Sequence, residues 1–139
     1  MIKPIFYLAL PFIAINLKSQ PNYFIGLDTI KAPKNLENTS IIPLFHDTIN
    51  VSSFLIFINK EVKLHKHITH DEQVYVIEGE GQMQLGEKIK EIKKGDFIFI
   101  PKNTFHSVKT TSNNELKVIS IQAPYFDGKD RFFKKSDND

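Results

Sequence analysis

The sequence predicts an all-β chain folded as one domain, a β-sandwich or closed barrel, and three observations carry that expectation. Short apolar runs rich in Val, Ile and Phe recur along the chain with turn residues between them. Beyond residue 20 no segment keeps a helical apolar period for three turns, so no amphipathic helix is predicted. The 139 residues, 41% hydrophobic and 24% charged, suffice for one domain and fall short of two.

The chain opens on MIKPIFYLALPFIAINLKSQ, where Lys3 precedes an apolar run from Ile5 to about Leu17 and Lys18-Ser19-Gln20 follows. A basic start, an apolar stretch of roughly 7–15 residues and a polar junction form the layout of a secretory leader. Pro11 interrupts the run, which is shorter than the roughly 18 residues of a spanning helix. Residues 1–20 are therefore expected to be cleaved near Ser19 or Gln20, in preference to an uncleaved anchor or an ordinary first strand. No Ala-x-Ala precedes that point; the junction resembles bacterial export signals that end in a small residue followed by Gln. The expected destination is the periplasm or the exterior, with no stable membrane span left after removal.

Loss of the leader removes Lys3 and Lys18 and leaves 16 basic and 16 acidic residues, a formal charge of zero. With no basic block either, nucleic acid is excluded as a predicted partner. The absence of Cys excludes disulfides, thiolate metal sites, a cysteine nucleophile and a lipoprotein anchor.

Residues 21–38 read as an N-terminal arm, and 39–126 as the folded domain. Strands are predicted at Ile41–Phe45, Val51–Ile58, Gln73–Ile77, Gln82–Leu85, Phe97–Ile100, Phe105–Val108 and Leu116–Ile121. Turns are predicted at Asn59-Lys60, Gly79-Glu80-Gly81 (a tight hairpin), Gly86-Glu87, Lys94-Gly95-Asp96, Pro101-Lys102-Asn103 and Ser112-Asn113-Asn114. Phe97, Phe99 and Phe105 read as core and pocket wall. Residues 127–139 form a charged tail ending in Ser-Asp-Asn-Asp and are expected to fray.

Five histidines punctuate this pattern: His46, His65, His67, His70 and His106. On a strand, the two-residue spacing of His65 and His67 puts both imidazoles on one face, close enough to share an ion. Glu72 follows five residues later, where a short turn or bulge returns a carboxylate to the same cavity. His106 lies far along the chain and needs a hairpin to come alongside. Three neutral imidazoles and one carboxylate suit one divalent transition-metal ion (Fe, Mn, Ni, Cu or Zn) with positions open for water or substrate. By itself His-x-His is also the pattern of a solvated surface pair near Lys63 and Lys66. His70 reads as a solvated turn residue, or else as a residue behind the ligands or a substitute ligand; His46 reads as a partly buried structural residue.

Over residues 59–110 the pattern resembles the two motifs of the cupin superfamily. In G-x5-H-x-H-x4-E-x6-G, the positions His65, His67, Glu72 and Gly79 match, and Asn59 replaces the first glycine. In G-x5-P-x-G-x2-H-x3-N, the positions Gly95, Pro101 and His106 match, while Asn103 and Thr110 replace Gly and Asn. Asparagine tolerates positive φ best among the non-glycine residues, so both Asn substitutions are expected to keep their turns. The resemblance implies a small single-domain cupin, a jelly-roll antiparallel β-barrel (double-stranded β-helix), with His65, His67, Glu72 and His106 as inward-pointing metal ligands. Residues 123–128 resemble the segment that ends many short cupins and are expected to close the barrel mouth or pack on a partner.

The function expected is that of an exported metal-dependent enzyme acting on a small organic substrate, by dioxygenase-like or isomerase-like chemistry. Glu72 is then either a fixed anionic ligand or an acid/base. A non-catalytic small-molecule-binding cupin, its metal structural or gripping the ligand, is the alternative. A stabilising module with a vestigial site ranks third, because all four ligand positions are filled. A homodimer paired through sheet edges and N-terminal arms is expected as well.

Overall fold

The computed structural model describes residues 24–47 and 49–134. The leader lies outside the described residues, as do Thr48 and residues 135–139. Residues 24–30 are the described part of a first unit that ends at Ile30, and they hold one turn, in which the Thr29 amide and hydroxyl donate to the Gly26 carbonyl. The second unit, from residue 31 onward, is built of strands: β1 Thr39–His46, β2 Ser52–Ile58, β3 Glu61–Lys66, β4 Asp71–Glu78, β5 Glu80–Leu85, β6 Lys88–Lys93, β7 Phe97–Ile100, β8 His106–Thr110, β9 Leu116–Ala123 and β10 Phe132–Phe133. Among the described residues there is no helix, and none therefore long and apolar enough to cross a membrane.

Two five-stranded antiparallel sheets make up the barrel, in the orders β1-β2-β9-β4-β7 and β10-β3-β8-β5-β6. After β2 the chain passes repeatedly from one sheet to the other, which is the all-β jelly-roll arrangement the alternating runs predict. Side chains alternate along each strand, so Ile58, Val74, Val76, Met83, Ile100, Leu116 and Val118 converge on one interior. Burying each such side chain contributes about 1.5–3 kcal/mol.

Three strands escape the sequence reading. β3 (EVKLHK) and β6 (KIKEIK) carry charges on their solvent face and only two aliphatic residues each, too few to stand out as apolar runs. β10 sits in the tail expected to fray, yet Phe132 pairs with Lys66 and Phe133 with His65. Residues 127–134 thus fold onto β3. The phenylalanine stripe also differs from expectation: Phe97 and Phe99 are 62% and 51% exposed. β7 lies at a sheet edge, and its alternation turns Ile98 and Ile100 inward instead.

Gly79-Glu80-Gly81 is not a hairpin either, because β4 and β5 belong to different sheets. Gly79 (φ +82°) carries the chain across, and a Cβ there would lie 2.8 Å from the Glu115 carbonyl oxygen. Of the two asparagines at motif glycines, Asn103 adopts φ 63°. Asn59 does not take a positive φ. It keeps its turn by other means, its side-chain amide donating to Leu36 O at 2.9 Å and its backbone N–H to Asn38 O.

Candidate metal centre

At one end of the barrel the close of β3, the start of β4, the start of β8 and the close of β9 meet. His65 lies directly opposite His106 in the β3–β8 ladder, so a neighbouring strand, not a hairpin, brings the distant histidine alongside. Between Val62 and His65 the register slips by one residue. Val62 and His65 would face opposite sides of a regular strand; this bulge turns both inward, Val62 to the core and His65 to the site. His67 falls just past β3, in the corner leading to β4, and its carbonyl accepts the N–H of Asn103 at 2.6 Å. Glu72 opens β4 between Ile100 of β7 and Gln122 of β9.

His65, His67, Glu72 and His106 are all buried, at 3, 2, 7 and 4% exposure. One ring nitrogen from each of the three histidines lies within 4.8 Å of the others. Each Nδ1 faces a backbone carbonyl: Lys63 O at 2.8 Å for His65, Thr104 O at 3.0 Å for His106, and Asp130 O for His67. A carbonyl only accepts, so each ring in its neutral form carries the proton on Nδ1 and presents a bare Nε2. Nε2 of His67 and of His106 are buried without a hydrogen-bond partner, at 3.6 and 3.2 Å from Glu72 Oε2. The other carboxylate oxygen, Oε1, accepts from Ser120 Oγ at 2.5 Å and from Gln122 Nε2 at 3.5 Å.

Lone pairs of imidazole nitrogen and carboxylate oxygen therefore converge on one point, where a cation, either a proton on an imidazole or a metal ion, relieves their repulsion. The protonation equilibria reflect this. Burial, then the neighbouring His106, push His65 down to about 4. Burial also opposes charge on His67, but the Glu72 carboxylate and the Asp130 carbonyl outweigh it and raise that ring above its ordinary value. At Glu72 burial favours the neutral acid, yet His106, His67 and Ser120 together hold it well below the usual carboxylate range. The donor set is compatible with a divalent metal ion, whose binding would satisfy the orphaned nitrogens.

Behind this cluster lies a group in which the sequence offered a place to His70, as one of its two readings, but not to Asp130. His70 is buried rather than solvated: its Nδ1 faces the Asp130 carboxylate and its Nε2 faces Tyr125 O at 2.7 Å. Asp130 also accepts from the backbone N–H of Ile68 (2.9 Å) and Thr69 (2.8 Å) and from the Thr69 hydroxyl (2.6 Å). Phe126 packs edge-on against both His67 and His70 at 5.4 and 5.3 Å between ring centres. Segment 123–128 thus backs the histidines. His46 ends β1 and pairs with Ser52; its side chain is not among those described. Thr110, in place of the motif asparagine, donates its hydroxyl to Ile58 O at 2.7 Å.

The sequence pattern of the cupin domain matches residues 57–122. An uncharacterized protein from Aquifex aeolicus is 39% identical over 97 residues, 69% of this chain and 78% of that protein. The chain belongs to the cupin family. Another cupin-length relative, an uncharacterized protein from Methanocaldococcus jannaschii, is 31% identical over 109 residues, covering 74% of this cupin and 87% of its relative. The oxalate-binding protein of Thermotoga maritima is 35% identical over 60 residues, 43% of this chain and half of that one. Among solved structures, KdgF from Halomonas sp. superposes with a TM-score of 0.66 at 18% identity, covering 78% of this chain and 97% of KdgF. An RmlC-like cupin from Shewanella frigidimarina gives 0.63 at 21%, with 78 and 96% covered. At these identities the two structures establish the shared fold.

Proposed function

We propose that His65, His67, Glu72 and His106 hold one divalent transition-metal ion, and that the adjoining cavity takes a small organic substrate on which the site performs dioxygenase-like or isomerase-like chemistry. The observation that carries this reading is the pair of buried, partnerless Nε2 atoms of His67 and His106 beside a carboxylate that is itself anchored from behind. Polar atoms buried without a partner cost about 1–3 kcal/mol each, and a metal ion removes that penalty for several at once.

The chain's own contributions follow from the geometry. Backbone carbonyls fix the tautomer of each imidazole, so the donors need no reorganisation on loading. Glu72 is anionic at neutral pH and offsets one charge of the ion, while Ser120 restrains its Oε1. A cavity of about 220 Å³ adjoins the cluster, walled by Val74, Met83, Ile92, Val118 and other aliphatic side chains that exclude water. A bound ion supplies Lewis acidity and, if redox-active, one-electron chemistry.

A non-catalytic binding protein is the second reading, favoured by the likeness to the oxalate-binding protein of Thermotoga maritima. Export through the leader and assembly as a homodimer belong to the same proposal. The exposed Phe97 and Phe99 at the β7 edge support pairing, and a monomeric mass in light scattering would remove it.

The test is elemental analysis of the chain produced without its leader and purified anaerobically, with no chelator and no His tag. Near-stoichiometric iron, manganese, nickel or copper supports the metal centre and leads to oxygen-uptake assays. Zinc supports the centre and leads to isomerase assays. No metal, together with no thermal shift on adding one, overturns it.

A further inference from the structure

Of the 18 basic residues in the chain, 17 are lysines and one is an arginine, Arg131. That arginine lines the same cavity as His65, Glu72 and His106. Its place there comes from the C-terminal segment: Asp130, bound to the β3–β4 corner, precedes it, and β10, paired with β3, follows. The Arg131 backbone N–H donates to Lys129 O at 2.9 Å. The guanidinium lies 6.0 Å from the centre of the Phe126 ring, a contact that occupies its flat face but none of its N–H donors. Nε is buried and has no hydrogen-bond partner. Glu61 and Glu72 share the cavity wall, yet among the described residues no carboxylate forms an ion pair with Arg131.

A second orphan faces the same site. Gln122 is 2% exposed, and its Nε2 points to Glu72 Oε1 and, at 3.3 Å, to Ser120 Oγ. Turning the amide over would set its carbonyl against the Glu72 carboxylate, so the orientation is fixed and Oε1 is the atom left without a partner. The cavity therefore offers a planar cationic fork, one spare acceptor and aliphatic walls. A guanidinium fork matches the two oxygens of a carboxylate, and a lone acceptor matches a hydroxyl.

We propose that Arg131 anchors the carboxylate of a small organic acid in this cavity, and that Gln122 Oε1 accepts a hydrogen bond from a hydroxyl group when the acid carries one. This deepens the metal-centre reading and rests on it for the role of the bound acid, though the anchor itself is a property of the protein side chains.

Calorimetric titration tests it, with oxalate and lactate set against their neutral amides, oxamide and lactamide. The full chain is used both metal-free and loaded with zinc. In the wild type the acids bind at least tenfold more tightly than the amides. Arg131→Gln abolishes that preference, weakening acid binding at least tenfold more than amide binding while the β-type circular dichroism is retained, and Arg131→Lys restores part of it. Equal binding of acid and amide by the wild type overturns the proposal, as does an undiminished preference in Arg131→Gln. Zinc titration of the same proteins separates the two readings. If the wild type takes no zinc but still prefers acids through Arg131, the metal centre fails and the anchor stands. If both proteins take zinc and the preference ignores Arg131, the anchor fails alone.

Discussion

The main-chain carbonyl of Asp130 accepts the Nδ1 proton of His67, across 63 positions of the sequence. The same residue's carboxylate holds Ile68, Thr69 and His70 in the corner that carries His67. One residue of the C-terminal segment thus sets both the path of that corner and the tautomer of the imidazole within it.

Asp130→Ala removes the side-chain contacts and frees the carbonyl to drift from His67. The expected cost is about 1–3 kcal/mol of folding stability and roughly 10–100-fold in zinc affinity. Thermal unfolding and a competitive zinc titration measure the two. Wild-type affinity in this variant would show that the corner orients His67 without help from the C-terminal segment.

His106 sits opposite His65 at the start of β8, with its Nδ1 on Thr104 O. Replacing it by alanine deletes a donor outright, so zinc affinity is expected to fall by more than the roughly 10–100-fold typical of losing a supporting contact. The barrel core is held by apolar side chains such as Val74, Val76, Leu116 and Val118, which this substitution leaves in place. Far-ultraviolet circular dichroism should accordingly keep its β-type shape. Retention of zinc would take His106 out of the centre.

The metal-free protein has a predictable acid limb. His65 titrates at about 4 when folded and 6.5 ordinarily, so between these values the unfolded chain binds more protons than the folded one. Stability from this residue is complete above about 6.5 and is lost as pH falls through about 4. His67, raised by Glu72 and Asp130 against its burial, acts above 6.5 instead, its contribution fading as pH rises through the raised value. Glu72, held low, loses its contribution only below its ordinary 4.5. Urea midpoints of metal-free protein should therefore decline from pH 6.5 to 4.5, and His65→Asn should flatten that slope. A slope unchanged in the variant would assign the limb to another group.

Gly79→Ala probes the crossing between sheets. The left-handed φ costs an alanine about 1–2 kcal/mol, and its methyl group would meet the Glu115 carbonyl, a backbone atom with little room to yield. A loss of about 2 kcal/mol or more is expected in denaturant unfolding. A loss below about 0.5 kcal/mol would mean that the β4–β5 corner relaxes freely.

The strands with an apolar face were legible in the sequence, because alternation writes burial directly into residue order: β2 (SSFLIFI), β4 (DEQVYVIE) and β9 (LKVISIQA) are the cases in point. β3 and β6 were not, since pairing with neighbours rather than apolar content makes them strands. His65, His67, Glu72 and His106 could be named together from motif spacing. For His70 the sequence left a solvated turn and a place behind the ligands both open, because the partners that decide for the second, Tyr125 and Asp130, stand 55 and 60 positions away.

Residue order by itself determined the all-β class, and its resemblance to the cupin motifs supplied the four candidate ligands and the left-handed turn at Asn103, since periodicity, motif spacing and backbone preference are local properties. Only the tertiary structure decided what supports and faces those ligands. The β3 bulge that aims His65, the Ser120 and Gln122 contacts to Glu72, and the return of Asp130 and Arg131 to the site all depend on pairing between strands far apart in the chain. Such pairings are chosen by collective burial of the two sheets, and no short stretch of sequence contains that choice.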